Sequence, residues 1–509
     1  LWIGLGVYGL FDEFRKFIRP KILAPLITVV CLLAVPVVMA YQNWDDHDRS
    51  NRFTARSTAK AYLDSCQEDA GAMIFTIGDN DTFPLWYLQE IESYRTDVRV
   101  INTSLFATDW YIDQMKRKAY ESDPIPSQLT HEKYRWGSRD VVYHQGITES
   151  RWDIKDFMNW IGSDKPQTKF KYLLQKQGGD LREYSENNLD IVYYPTNKIR
   201  IPVNKKNVLE SGLVKEKDTA LILDYIDIDL PQSALTKNRI LMLDIIANND
   251  WKRPIYFSGG SFDKAEYIWM KDYLQLDGLA YKLVPIKTTN RSSFEMGRID
   301  SDLMYDIVKK WDWGNSGSTD IYHDPQTRTQ GLSFRGNLAR LTETLINENK
   351  IDKAKDIIKI AMTNMPLDYF GFYTFVEPFL DGYYKVGETS KGRELFQRLK
   401  KKYQERLEYY AGIPLDEQYK NIDDIIADME GYRRNIDILI DNRDRELAEK
   451  ETLIFNEYID KFSHFVGDDT DFLEEAPVQE DPDILDTVPI SDTTAIDNTK
   501  TQEVPSAEN

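Results

Sequence analysis

The chain has 509 residues, 41% of them hydrophobic and 29% charged, a length and balance that support two or three domains with packed cores. Its formal net charge of -20 argues against a nucleic-acid partner, because phosphate backbones call for clustered Lys and Arg. The two cysteines, Cys31 and Cys66, give no disulfide framework, since Cys31 falls inside an apolar run.

Residues 1–41 read as membrane segments. Leu1 to Phe11 is apolar but only eleven residues long, and reads as the end of a truncated helix. Ile22 to Tyr41 is twenty residues without a charge, the length needed to cross a bilayer. Pro25 and Pro36 interrupt it, which membrane helices tolerate. A signal peptide fits less well, because an apolar run precedes the basic stretch. Arg15, Lys16, Arg19 and Lys21 sit between the two runs and favour the cytoplasmic side. The remainder of the chain is therefore expected outside the cytoplasm, in a periplasm where two membranes exist.

Residues 42 to about 70 suggest a helix leaving the membrane. A strand over Ala72–Ile77, a turn at Gly78–Asp81, a helix from Pro84 to about Ser93 and a strand over Val98–Leu105 make a βαβ unit with a parallel pair. Asp109 to Lys118 suggests the next helix. Ile191–Tyr194 and Ile199–Val203 flank Pro195-Thr196-Asn197-Lys198, the pattern of a hairpin. A helix over Leu235–Asn248, a strand over Arg253–Phe257, a helix over Tyr267–Leu274 and a strand over Tyr281–Ile286 follow. Residues 42–290 thus read as an α/β domain, Rossmann-like in character but without a cofactor fingerprint. Residues 291–330 are polar and read as a linker or excursion. From 331 to 465 the apolar spacing is helical, and Asn349–Ala354 lies 38 residues before the similar Gly387–Gly392. That spacing suggests either tetratricopeptide-like helix pairs, whose usual period is about 34, or a plain bundle. Residues 466–509 read as a disordered acidic tail; 467–509 carries 13 acids against one Lys.

Two constellations could carry chemistry. Asp79, Asn80 and Asp81 follow a strand and open a helix, the edge at which open α/β sheets bind ligands. Paired carboxylates around an amide suit a cation or sugar hydroxyls; the structural alternative is helix capping by Asp81 or Thr82, with Asx turns at Asp79 and Asn80. Arg49, Arg52 and Arg56 stand at i, i+3 and i+7, one face of a continuous helix, and could meet lipid headgroups or the diphosphate of a lipid-linked sugar. The simpler reading is solvation or pairing with Asp45 and Asp48. Trp251, in Asn248–Pro254, is expected to pack. The five histidines are scattered, and no nucleophile, cofactor or metal motif is present, so spacing alone assigns no catalytic residue, metal or cofactor.

The strings Asn43–Arg52, Gly78–Tyr87, Thr96–Asn102 and Leu243–Asn249 with Trp251–Phe257 resemble the carboxy-terminal part of a bacterial protein O-mannosyltransferase-like membrane family, glycosyltransferase family 117. The resemblance covers about residues 1–400. It implies a multi-span enzyme of the C type that takes sugar from a polyprenyl-phosphate donor on the extracytoplasmic side. The catalytic carboxylate of such enzymes lies in an early outer loop, upstream of Leu1. The expected role is therefore support of a protein or glycan acceptor, with the bilayer, a lipid-linked sugar and a protein on the helical region as partners. The alternative is a non-catalytic tethered scaffold in the cell envelope. A third reading makes Asp79 and Asp81 the centre of a metal-dependent enzyme.

Overall fold

A computed structural model describes residues 2–183, 189–258, 268–288 and 296–465, which fall into two compact units dividing after Leu395. The expected tail lies outside the described residues. The first unit opens with α1 (Trp2–Phe14) and α2 (Pro20–His47). Proline at the first position of α2 costs no hydrogen bond, and the apolar run continues from there. Pro20–Trp44 is 25 residues, long and apolar enough to cross a membrane. Apart from buried Leu23 and half-buried Ile27, its Leu, Val and Ile side chains are exposed, a surface that lipid satisfies and water does not.

The helix does not run on to residue 70. Asp48 takes an extended conformation, and its carboxylate accepts from Ser50 N at 2.9 Å, which offers the backbone a turn in place of the next helical bond. The chain re-enters helix only at α3 (Thr54–Ser65). Arg49 and Arg52 therefore lie in a turn, and only Arg56 stands on a helix. The single arginine face expected from spacing does not form.

Next come β1 (Met73–Thr76), α4 (Asp79–Glu92), β2 (Arg99–Asn102) and α5 (Asp109–Met115). β1 and β2 run parallel, with Ile74 opposite Val100. Short strands follow: β3 (Val141–His144), β4 (Trp152–Asp153), β5 (Tyr193–Tyr194), β6 (Lys198–Pro202), β7 (Tyr225–Asp229) and β8 (Ala234–Thr236). The helix Lys237–Asn249 leads to β9 (Ile255–Ser258), then β10 (Leu274–Asp277) and β11 (Ala280–Leu283). The main sheet has the order β10-β11-β9-β1-β2, parallel across β9, β1 and β2 and antiparallel at β10 and β11. Every residue of these five strands is buried, as expected of a sheet covered on both faces.

Two local expectations fail. β5 pairs with β3 and β6 with β4 and β7, so residues 191–203 are a crossover between two small three-stranded sheets and not a hairpin. Thr196 Oγ1 donates to Ser150 O at 3.0 Å and Asn197 Nδ2 to Leu230 O at 3.2 Å, tying the would-be turn to other segments. The helix expected over Tyr267–Leu274 is a short 3-10 stretch, Ile268–Tyr273, ahead of β10, which the spacing did not reveal. β10 hides because its alternate residues are polar yet buried. Lys282 and Asp277 pair at 2.7 Å, and Gln275 Nε2 donates to Asp277 Oδ1 at 2.8 Å.

The stretch from 296 is packed. It holds the helix Ser301–Lys310 and then the loop that leads to the helix Pro325–Asn347. Asn315 donates to Asn51 O and accepts from Phe53 N at 3.2 Å, pinning the turn after α2. Gly314 has φ +55, and a Cβ there would meet Ser57 and Phe53. The helices Ile351–Asn364 and Glu377–Lys385 complete this unit, with left-handed turns at Asn349 and Gly387.

The second unit is helical. Its helices Ile422–Asp441 and Arg445–Lys461 enclose Glu451, which is fully buried. Lys400 pairs with Glu451 at 2.8 Å, and the Tyr432 hydroxyl donates to it at 3.0 Å.

Candidate functional site

The carboxyl ends of β9, β1 and β2 meet at the first turn of α4. Asp81 accepts from Ile77 N at 2.9 Å and Gly78 N at 2.8 Å, and Ser258 Oγ donates to it at 2.6 Å. Thr82 Oγ1 donates to Gly78 O at 2.6 Å and accepts from Asn102 Nδ2 at 2.9 Å. Both side chains are buried, and both are consumed by holding the strand ends together. Asp81 is a capping residue and offers a ligand little.

Asp79 and Asn80 occupy the first two positions of the same helix and are exposed. Among the described residues neither side chain has a hydrogen-bond partner. With Phe83 they form one wall of a cavity of about 630 Å³. A second wall is α3, through Thr54, Thr58 and Tyr62. The third is the start of the helix Pro325–Asn347, where Asp324 caps the end by accepting from Thr327 N at 2.9 Å. Tyr62 is 2% exposed, and burial, helped by the charge of Asp81, pushes its phenol well above the usual range. It therefore stays a neutral hydroxyl at the cavity wall.

The arginines are spent on carboxylates. Arg49 Nη1 lies 3.7 Å and Arg52 Nη1 3.6 Å from Asp324, and the Arg52 guanidinium sits 4.9 Å from the Tyr322 ring centre. Arg56 grips Glu92 with two bonds of 2.7 and 2.6 Å and reaches Asp312 at 3.2 Å. That grip holds the Glu92 carboxyl below the usual range. Arg49 alone of the three lines the cavity. Its walls carry Asp79, Asp81 and Asp324 against this one guanidinium, a balance that disfavours a phosphate and suits hydroxyl donors.

Among the described residues no group of three or more His, Cys, Asp or Glu is arranged to hold a metal. With both Asp81 oxygens engaged, Asp79 and Asp81 do not form a cation site. Trp251 packs at 6% exposure, and its indole N–H donates to Pro202 O at 2.8 Å. The helix before it ends at Asn249, and Asp250, with φ +48, is its left-handed cap. Sequence reasoning found Asp79, Asn80 and Arg49 but missed the Asp324–Gln330 wall. Asp324-Pro325, a capping residue followed by proline, carried that helix-start signal.

Residues 55–303 match the family described as TMEM260-associated domain 2. The match holds α3 from Ala55 onward and the Asp79–Asp81 turn, and it relates this stretch to a membrane glycosyltransferase-like protein. No curated protein and no solved structure matches the chain.

Proposed function

We propose that this chain provides the acceptor-side soluble region of a membrane glycosyltransferase of the protein O-mannosyltransferase-like type, glycosyltransferase family 117. The donor is a polyprenyl-phosphate sugar, and the acceptor is a hydroxyl of a protein or glycan. The region stands outside the cytoplasm, behind a cytoplasmic-membrane anchor formed by α2. Its 42–290 domain is Rossmann-like, and its paired helices serve, in the tetratricopeptide manner, to receive a protein partner.

The observation that carries this reading is the cavity where the chain leaves α2. It is walled by Asp79 and Asn80 and dominated by hydrogen-bond acceptors and neutral groups. Asp79 accepts a bond from an acceptor hydroxyl, Asn80 both donates and accepts, and Tyr62 donates. These groups bind and orient; the carboxylate that deprotonates the hydroxyl in an inverting transfer is not assigned to this chain. The match of residues 55–303 to a TMEM260-associated domain supports the same class.

The test is the glycan profile of envelope proteins by mass spectrometry after deletion of the gene, with complementation by the intact gene or by Asp79→Ala/Asn80→Ala. Loss of O-linked hexose on deletion, and poor rescue by the double variant, is expected. An unchanged profile on deletion would favour a non-catalytic scaffold.

A further inference from the structure

A second cavity, of about 350 Å³, lies between α4, β2, α5 and the turn at Ala119–Ser122. Aromatic rings dominate it. Trp86 and Tyr111 have centroids 6.5 Å apart, and Trp110 stands 5.5 Å from Tyr111 at 77°. Phe83, which lines the first cavity, stacks on Trp86 at 5.5 Å. Four rings thus run in unbroken contact from one cavity to the other.

The outermost ring is Trp110, 55% exposed although it belongs to the largest apolar side-chain type. Gln114, one turn further along α5, is exposed and has no hydrogen-bond partner among the described residues. Tyr120 donates its hydroxyl to Glu90. Among the described residues the only cation lining the cavity is Arg99, and its Nε and Nη2 are turned away to the neighbouring turn. Its Nε donates to Ser122 Oγ at 2.9 Å, and its Nη2 donates to the carbonyls of Arg117, Ser122 and Asp123 at 2.8–3.0 Å. An anionic ligand would meet the Glu90 carboxylate, while Arg99 has Nε and Nη2 committed to the Arg117–Asp123 turn, so the charge balance favours a neutral ligand.

An aromatic floor edged by an amide, a phenol and a carboxylate matches a neutral sugar ring, which presents a C–H face for stacking and equatorial hydroxyls for bonding. The volume lies within the usual range for small-ligand sites, about 300–1,000 Å³. We infer that this second cavity is a binding site for a neutral saccharide, laid on Trp110 and hydrogen-bonded by Gln114 and Glu90. The site is separate from the Asp79–Asn80 cavity and does not depend on the transferase reading.

The full chain in lipid nanodiscs, applied to an array of neutral, sulfated and phosphorylated oligosaccharides, tests this. Binding to neutral members is expected, with affinity for the strongest of them reduced at least tenfold by Trp110→Ala and several-fold by Gln114→Ala. Tyr409→Ala, at an exposed residue that lines neither cavity, should leave it unchanged. Gln114 is an exposed amide, so its variant keeps the test open if Trp110→Ala fails to fold. No binding to any neutral member, binding confined to anionic ones, or binding indifferent to both variants would overturn the proposal. Loss with Asn80→Ala alone would place the sugar in the first cavity and also overturn it.

Discussion

Asp79 and Asp81 stand two residues apart and do opposite work. Asp81 satisfies two backbone N–H groups and Ser258, so Asp81→Ala strands buried donors and is expected to cost on the order of 2–3 kcal/mol in urea unfolding. Asp79→Ala should change stability by less than about 0.5 kcal/mol, because the carboxylate is exposed and unpaired among the described residues. A second residue-scale prediction concerns Asp428. Burial, only partly offset by Arg406, raises its carboxyl to about 6, with Asp424 adding repulsion. Arg406 Nε lies 2.8 Å away but without hydrogen-bond geometry. A folded pKa above the unfolded 3.8 means the folded state holds the proton more tightly. The stability it contributes is therefore complete below pH 4 and lost as pH rises through 6, a difference on the order of 3 kcal/mol. Hydrogen exchange in the helix Ile422–Asp441 should show this slope, and Asp428→Asn should flatten it.

At the scale of elements, the parallel β1-α4-β2 unit was legible because each strand holds a short apolar stretch, Met73–Phe75 and Val100–Ile101, and a glycine turn opens its helix. The break between α2 and α3 was not, since Asp48 and Ser50 close a local turn that helical spacing cannot register. β10 escaped because its polar residues are buried by pairing across the strand and not by facing water. The cavity was half legible: Asp79 and Asn80 came from one string, while the opposite wall comes from residues more than 240 positions later. Two variants probe these elements. Gly278 turns β10 into β11 at φ +61, and a Cβ there meets Ser65, Ile307 and Trp311, so Gly278→Ala should destabilise by about 2 kcal/mol in thermal unfolding. Asn315→Ala removes both bonds to the turn after α2, and faster amide exchange at Phe53, with the global midpoint little changed, is expected.

At the scale of the molecule, α2 is a hydrocarbon-sized apolar rod, and the first cavity begins at Arg49, two residues beyond it. With α2 in the bilayer, Cys31 should resist a water-soluble maleimide until detergent is added, whereas Asn43→Cys should label from the outer face of intact cells. Labelling of Asn43→Cys only after the inner face is opened would reverse the orientation. Under the proposed function the cavity receives the hydroxyl acceptor close to the end of α2, and that acceptor binding is the central claim. The most direct measurement is steady-state transfer by the full-length membrane protein in nanodiscs, from a polyprenyl-phosphate hexose to a Ser/Thr-rich peptide, comparing the intact protein with Asn80→Ala. The account predicts a KM for the peptide raised about tenfold with kcat within about twofold, the signature of lost acceptor binding. Transfer with both constants unchanged would contradict it.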